Sequence, residues 1–127
     1  MKLFGIGTDI VKISRIKKSI NKKKFLPRIF NEKEIIRCKK TKNLFNCYAK
    51  RFAAKEAFSK ALGTGVSKGM NFNEIVILNE KNGKPYIRLI ENTKKIVEKK
   101  LKKKKYKISL SLTDEENYAV AFVTIST

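Results

Sequence analysis

The segment that most limits what this chain can fold into runs from about Asn43 to Leu62, a run of helix-forming residues closed by Gly63-Thr64-Gly65. A helix of about 20 residues is about 30 Å long, the width of a small domain, so the remaining elements must pack around it. Ala54, Ala57, Phe58, Ala61 and Leu62 recur at helical spacing and predict one buried face. Glu56 and Lys60, four residues apart, are neighbours on the opposite side. Phe52 and Ala53 flank Glu56, which puts its carboxylate in a partly apolar setting. The plainer alternative is a solvated Glu–Lys pair worth a few tenths of a kcal/mol.

Around this helix the patterning predicts short elements of both kinds. Leu3 to Ile13 alternates as a strand, with Phe4, Ile6, Thr8 and Ile10 on one side and Gly5, Gly7, Asp9 and Val11 on the other. Ser14 reads as the N-cap of a short basic helix to about Asn21, and Pro27 as an interruption. Asn31 followed by Glu34 reads as a capping box opening a helix to about Lys40. Ile75–Leu78 and Tyr86–Leu89 read as strands joined at Asn82-Gly83, and Ile90 to about Leu101 as a helix. Tyr106–Leu112 and Tyr118–Ile125 read as a final hairpin. The sum is one α+β domain over residues 1–127, with an antiparallel sheet packed against the long helix.

Composition narrows the chemistry. The chain of 127 residues contains no histidine, which excludes an imidazole general base, a Ser-His-Asp triad and every His-ligated zinc site. Lys plus Arg number 31 against 11 acids, a formal charge of +20 that suits polyanions, acidic proteins or phosphorylated ligands. Lysine bias in the composition is an equally good source of that excess. No apolar run approaches a membrane span, and Leu3–Ile6 meets Asp9 too soon for a signal peptide. Cys38 and Cys47 show no framework spacing, so free thiols in a cytoplasmic protein are expected.

Asp9 is the sole acid of the first strand and shares its face with Gly5 and Gly7, which allow another backbone or a ligand to come close. Asp9 and Glu56 together would suit Mg²⁺, which takes one or two carboxylates and keeps its remaining positions for water and phosphate.

Four segments resemble the holo-[acyl-carrier-protein] synthases of the 4'-phosphopantetheinyl transferase family. They are Gly5-Ile6-Gly7-Thr8-Asp9-Ile10-Val11, the run from Arg51 to Gly65, the turn Gly83-Lys84-Pro85 and the stretch Ile108-Ser109-Leu110-Ser111. The resemblance covers essentially the whole chain and implies a 4'-phosphopantetheinyl transferase-like fold. It implies transfer of the phosphopantetheine arm of coenzyme A to a serine of an acidic apo acyl carrier protein, with release of adenosine 3',5'-bisphosphate, in support of fatty acid biosynthesis.

By the family's motif Asp9 and Glu56 match the metal carboxylates, for Mg²⁺ or Mn²⁺, and Lys60 the lysine that meets the diphosphate; these three form the implied catalytic set. Arg51 and Lys55 stand where relatives have basic residues near the nucleotide. Gly63, Gly65, Gly83 and Pro85 are implied to shape a coenzyme A cleft between subunits of a homotrimer. Arg15, Lys22 and Arg28 fall in the region that resembles the carrier-protein docking surface. The serine proton would pass to Glu56 or to a water molecule held by the cation. Where relatives close the Ser-x-Ser motif with histidine, this chain has Leu112. Neither membrane nor nucleic acid belongs to this reading. The +20 charge and the tract Lys99 to Lys105 leave a nucleic-acid-binding protein as the rival, and Leu112 leaves an impaired relative acting as an interaction module.

Overall fold

In the computed structural model, which describes residues 1–63 and 69–127, the chain enters as strand β1 (Leu3–Lys12) and passes through three short helices. These are α1 (Ile13–Ile20), α2 (Phe25–Ile29) and α3 (Glu32–Lys39). The long helix α4 (Leu44–Leu62) follows; then a 3-10 turn (Phe72–Glu74), β2 (Ile75–Asn79), β3 (Pro85–Leu89), α5 (Glu91–Leu101), β4 (Lys107–Asp114) and β5 (Tyr118–Ser126). The antiparallel strands form two sheets: β1-β5-β4, and the separate β2-β3 hairpin.

Two local expectations change. The N-cap of α1 is Lys12, not Ser14, and no side chain caps it. Pro27 does not break the chain but lies in the first turn of α2, where its missing N–H costs no helical bond. Asn31 and Glu34 form the capping box of α3, Asn31 Oδ1 accepting from Lys33 N and Glu34 Oε1 from Asn31 N.

α4 is not amphipathic in the simple sense. It runs between the sheets and is buried nearly all round, from Cys47 and Tyr48 to Ala61 and Leu62. Its alanines make this possible by letting β1 approach to backbone contact. A Cβ added to Gly5 would lie 1.9 Å from the Ala61 carbonyl oxygen, and one at Gly7 would lie 1.9 Å from that of Ala57. The glycines of β1 thus admit another backbone, that of α4. Gly63, at φ +88°, ends the helix in the left-handed conformation expected of a glycine C-cap.

A buried ion pair ties α4 to the other side of the fold. Lys55 Nζ donates to Glu34 Oε1 at 2.7 Å, to the Phe72 carbonyl at 2.8 Å and to the Ile75 carbonyl at 2.6 Å. Glu34 Oε2 accepts from Ile77 N. One pair therefore joins α3, α4, the 3-10 turn and β2. Cys38 and Cys47, expected as free thiols, are instead disulfide-bonded, because the end of α3 and the start of α4 bring them together.

The outer face of the three-stranded sheet is left uncovered. Ile6, Ile10 and Phe122 are 58%, 63% and 46% exposed, and neighbouring Phe4 and Tyr118 are also exposed. The alternation that turns Gly5, Gly7, Asp9 and Val11 towards α4 turns these apolar side chains outward.

Candidate active site

β1 and α4 bring the three principal sequence candidates to one place. Asp9 lies on the α4-facing side of β1, half-buried. Glu56 is one of the few α4 residues between Cys47 and Leu62 that are not fully buried, together with Phe52, Lys50 and Lys60. Lys60, one turn further along, donates from Nζ to the Thr8 carbonyl at 3.0 Å and to Asp9 Oδ1 at 3.2 Å. Its side chain is half exposed, so the ammonium can leave Asp9 at little cost.

The Glu56 carboxyl is held above its ordinary range, first by burial and then by the negative charge of Asp9. Lys60 and Arg15 oppose this with positive charge. Two carboxylates that repel each other in a half-buried setting are suited to a divalent cation, which would relieve the repulsion. Among the described residues no cluster of three or more His, Cys, Asp or Glu side chains forms a metal cage. A two-carboxylate, all-oxygen donor set fits Mg²⁺ or Mn²⁺ completed by water and phosphate, and it does not fit a closed structural zinc site.

The basic candidates separate. Lys55 is fully buried and spends its three N–H groups on Glu34 and two carbonyls, so it has none for a nucleotide. That assignment is corrected: Lys55 holds the fold. Burial lowers its pKa to about 8 against the opposing pull of Glu34. Arg51, 4% exposed, lines a cleft of about 280 Å³ together with Arg37, Lys42, Lys50, Asn46 and Asp114, whose carboxylate pairs with Lys50 at 3.5 Å. Its Nη2 donates to Asn79 Oδ1 at 2.7 Å, and Asn79 Nδ2 donates to the Gly83 carbonyl at 3.0 Å. Asn79, absent from the sequence candidates, thus joins Arg51 to the Gly83–Pro85 turn. Arg51 Nε is buried with no partner among the described residues. A larger cleft of about 500 Å³ elsewhere is walled by Glu32, Glu74 and Glu91 and lacks a cation, so it does not suit phosphate.

Gly63 is exposed just beyond Lys60, and Gly83, at φ +92°, forms the tip before Pro85 opens β3. Gly65 lies outside the described residues. Arg15, Lys22 and Arg28 are all exposed, and Arg15 is near enough for its charge to act on Glu56. Leu112, the residue after Ser111, pairs with Ala121 and packs half-buried against the core.

The family profile described as the 4'-phosphopantetheinyl transferase superfamily matches residues 5–123. The chain belongs to this superfamily, on its holo-[acyl-carrier-protein] synthase branch, and is an enzyme of that kind. It is 46% identical over 125 residues to the holo-[acyl-carrier-protein] synthase of Pelagibacter ubique, covering 98% of each chain. The corresponding synthase of Vibrio campbellii is 42% identical, with 97% of each chain covered. Among solved structures, the Neisseria meningitidis synthase superposes with a TM-score of 0.85 at 35% identity, over 98% of this chain and 99% of that one. The Bacillus anthracis synthase, solved in complex with CoA (3',5'-ADP), gives 0.81 at 34% identity, over 100% and 99%.

Proposed function

We propose that Asp9, Glu56 and Lys60 carry out Mg²⁺-dependent transfer of the 4'-phosphopantetheine arm of coenzyme A to a serine of an acidic apo acyl carrier protein, with release of adenosine 3',5'-bisphosphate. The observation that carries the reading is the meeting of Asp9 and Glu56 between β1 and α4 with the Lys60 ammonium beside them. The serine oxygen attacks the β-phosphorus, a serine O–P bond forms, and the bond from that phosphorus to the bridging oxygen breaks. Charge builds on the diphosphate during this exchange, so catalysis rests on positioning and on cations. Asp9 and Glu56 would hold a divalent ion, which would supply Lewis-acid neutralisation of the developing charge.

Lys60 transfers its N–H donors from Asp9 to the diphosphate as a mobile point charge. Glu56, whose carboxyl already favours the proton more than an ordinary glutamate, is this chain's own candidate acceptor for the serine proton. Arg51, in a cleft lined also by Arg37, Lys42 and Lys50 and by the single carboxylate of Asp114, suits the 3'-phosphate end of the nucleotide. Arg15, Lys22 and Arg28 offer the acidic carrier a basic approach whose nearest member, Arg15, stands by Glu56.

Arg51 and Glu56 are five residues apart on α4, about 140° around the helix, so one chain does not present both to a single cleft. The uncovered Ile6, Ile10 and Phe122 face is an apolar surface through which a homotrimer would join, so that a second copy is at hand to complete the site. The test is to incubate the chain with coenzyme A, Mg²⁺ and apo carrier protein and to weigh the carrier. A gain of one phosphopantetheine, abolished by Glu56→Gln, is expected. No gain at any Mg²⁺ or Mn²⁺ concentration would refute the assignment.

A further inference from the structure

The Cys38–Cys47 bridge lies against the cation cleft rather than in a remote part of the core. Cys38 is in the last turn of α3 and Cys47 in the first turn of α4, and both are buried. The nine-residue step between them supplies Thr41, Lys42, Asn43 and Asn46 to the cleft wall, and Cys47 lines it too. Arg51 Nη1 donates to Cys47 Sγ at 3.2 Å and to its carbonyl at 3.4 Å. At the α4 end of this connection Leu44 and Phe45 pack against the core and Asn46 Nδ2 donates to Asp114 Oδ2 at 2.7 Å, so the loosely held part is the stretch from Thr41 to Asn43. Asn43 caps α4 without a side-chain hydrogen bond, and Thr41, Lys42 and Asn43 are exposed. The bonds that hold it at α3 come from Lys40 N, Thr41 N and Thr41 Oγ1 to the carbonyls of Arg37 and Cys38.

We propose that Cys38 and Cys47 form a reversible thiol–disulfide site that sets the affinity of the adjoining cleft for its phosphorylated ligand. The proposal rests on the reading of that cleft as the nucleotide end. The bridge fixes both ends of the segment that carries Lys42, so the cleft meets an anion with its cations already placed; the reduced segment must be ordered at the moment of binding.

The chemistry balances with a low-molecular-weight disulfide as oxidant. Cys47, near the N-terminus of α4 and beside the Arg51 guanidinium, is placed to be the thiolate. It attacks one sulfur of the oxidant and expels the first small thiolate. Cys38, losing its proton to solvent, then attacks the Cys47 sulfur of the mixed disulfide and releases the second thiolate. Two thiols are oxidised and one small disulfide is reduced to two thiols. Because Cys38 and Cys47 are 0% and 5% exposed, exchange proceeds through opening of the last turn of α3, whose other side chains are already in solvent.

The test uses adenosine 3',5'-bisphosphate, which carries no thiol of its own to exchange with the bridge. The full chain is equilibrated with oxidised glutathione or with dithiothreitol, free thiols are counted by alkylation and intact mass, and binding is measured by calorimetry. The oxidised chain is expected to take up no alkyl group and to bind roughly three- to tenfold more tightly than the reduced chain, which takes up two. The Cys38→Ser/Cys47→Ser double variant should match the reduced chain under both conditions. Equal affinity in the two states would overturn the proposal alone, as would two alkylated thiols on the folded chain after oxidation. Binding to neither state would overturn the nucleotide reading of the cleft and the switch with it.

Discussion

Replacing Gly7 by alanine tests whether close contact between β1 and α4 builds the site. The added Cβ would lie 1.9 Å from the Ala57 carbonyl oxygen and 2.7 Å from the Ala61 amide nitrogen, both backbone atoms of a buried helix. No side chain can swing aside, so helix and strand must part by more than about 1 Å to regain ordinary contact. Overpacking of this kind costs about 1–3 kcal/mol, and for a chain of this length each kcal/mol lowers Tm by about 3–6 °C. Ala57 adjoins Glu56, and Gly7 is two residues from Asp9, so the separation falls on the carboxylate pair itself. A misplacement of about 1 Å can cost about 100-fold in rate. Calorimetric melting and the carrier mass-gain assay should show both losses in Gly7→Ala. Gly83→Ala, where a Cβ meets nothing within 4 Å, should cost in melting only the modest strain of a left-handed turn and leave α4 in place. A Gly7→Ala chain with normal Tm and normal turnover would refute the account of how β1 and α4 build the site.

Glu56→Gln should remove transfer yet raise Tm at neutral pH without metal, because a half-buried charge facing Asp9 is lost. The sign follows from the raised folded-state pKa: stability contributed by protonated Glu56 is present at low pH and lost as pH rises through that pKa. The gap between wild type and variant should therefore close on acidification, and a fixed Mg²⁺ concentration should stabilise the wild type more than the variant; melts run across pH and with Mg²⁺ check both. Lys55→Met should cost about 3–5 kcal/mol in denaturant unfolding by leaving Glu34 buried and unpaired, and adding Glu34→Gln should recover part of it. Phe122→Glu should yield monomers in sedimentation with little change in the fold of each chain and a large loss of transfer; trimers of normal activity would refute the role given to that sheet face.

What the sequence disclosed and what it hid divide along physical lines. The capping box at Asn31 and Glu34 was legible because its partners are three residues apart, but the second task of Glu34, receiving Lys55 from another helix, has no local signal. Alternation put Asp9 on the same side of β1 as Gly5 and Gly7, yet only the structure shows that the glycines admit α4 rather than a ligand. Lys55 and Glu56 are neighbours in one motif, and a motif does not say which of two adjacent side chains turns inward. A helix buried on nearly every side gives no single stripe, so the one-faced reading of α4 was too simple. Asn79 carried no mark of its link between Arg51 and the Gly83 turn. The pairing of Cys38 with Cys47 depends on how α3 meets α4, which their spacing does not encode.

The central claim is that Asp9 and Glu56 form one divalent-cation site that serves transfer. Manganese binding followed by electron paramagnetic resonance, run beside carrier mass gain on wild type, Asp9→Asn and Glu56→Gln, tests it most directly. The account predicts one bound ion per chain in the wild type, weaker binding in each variant, and transfer lost in step with binding. Tight manganese binding that survives both substitutions, or full transfer in either variant, would contradict it.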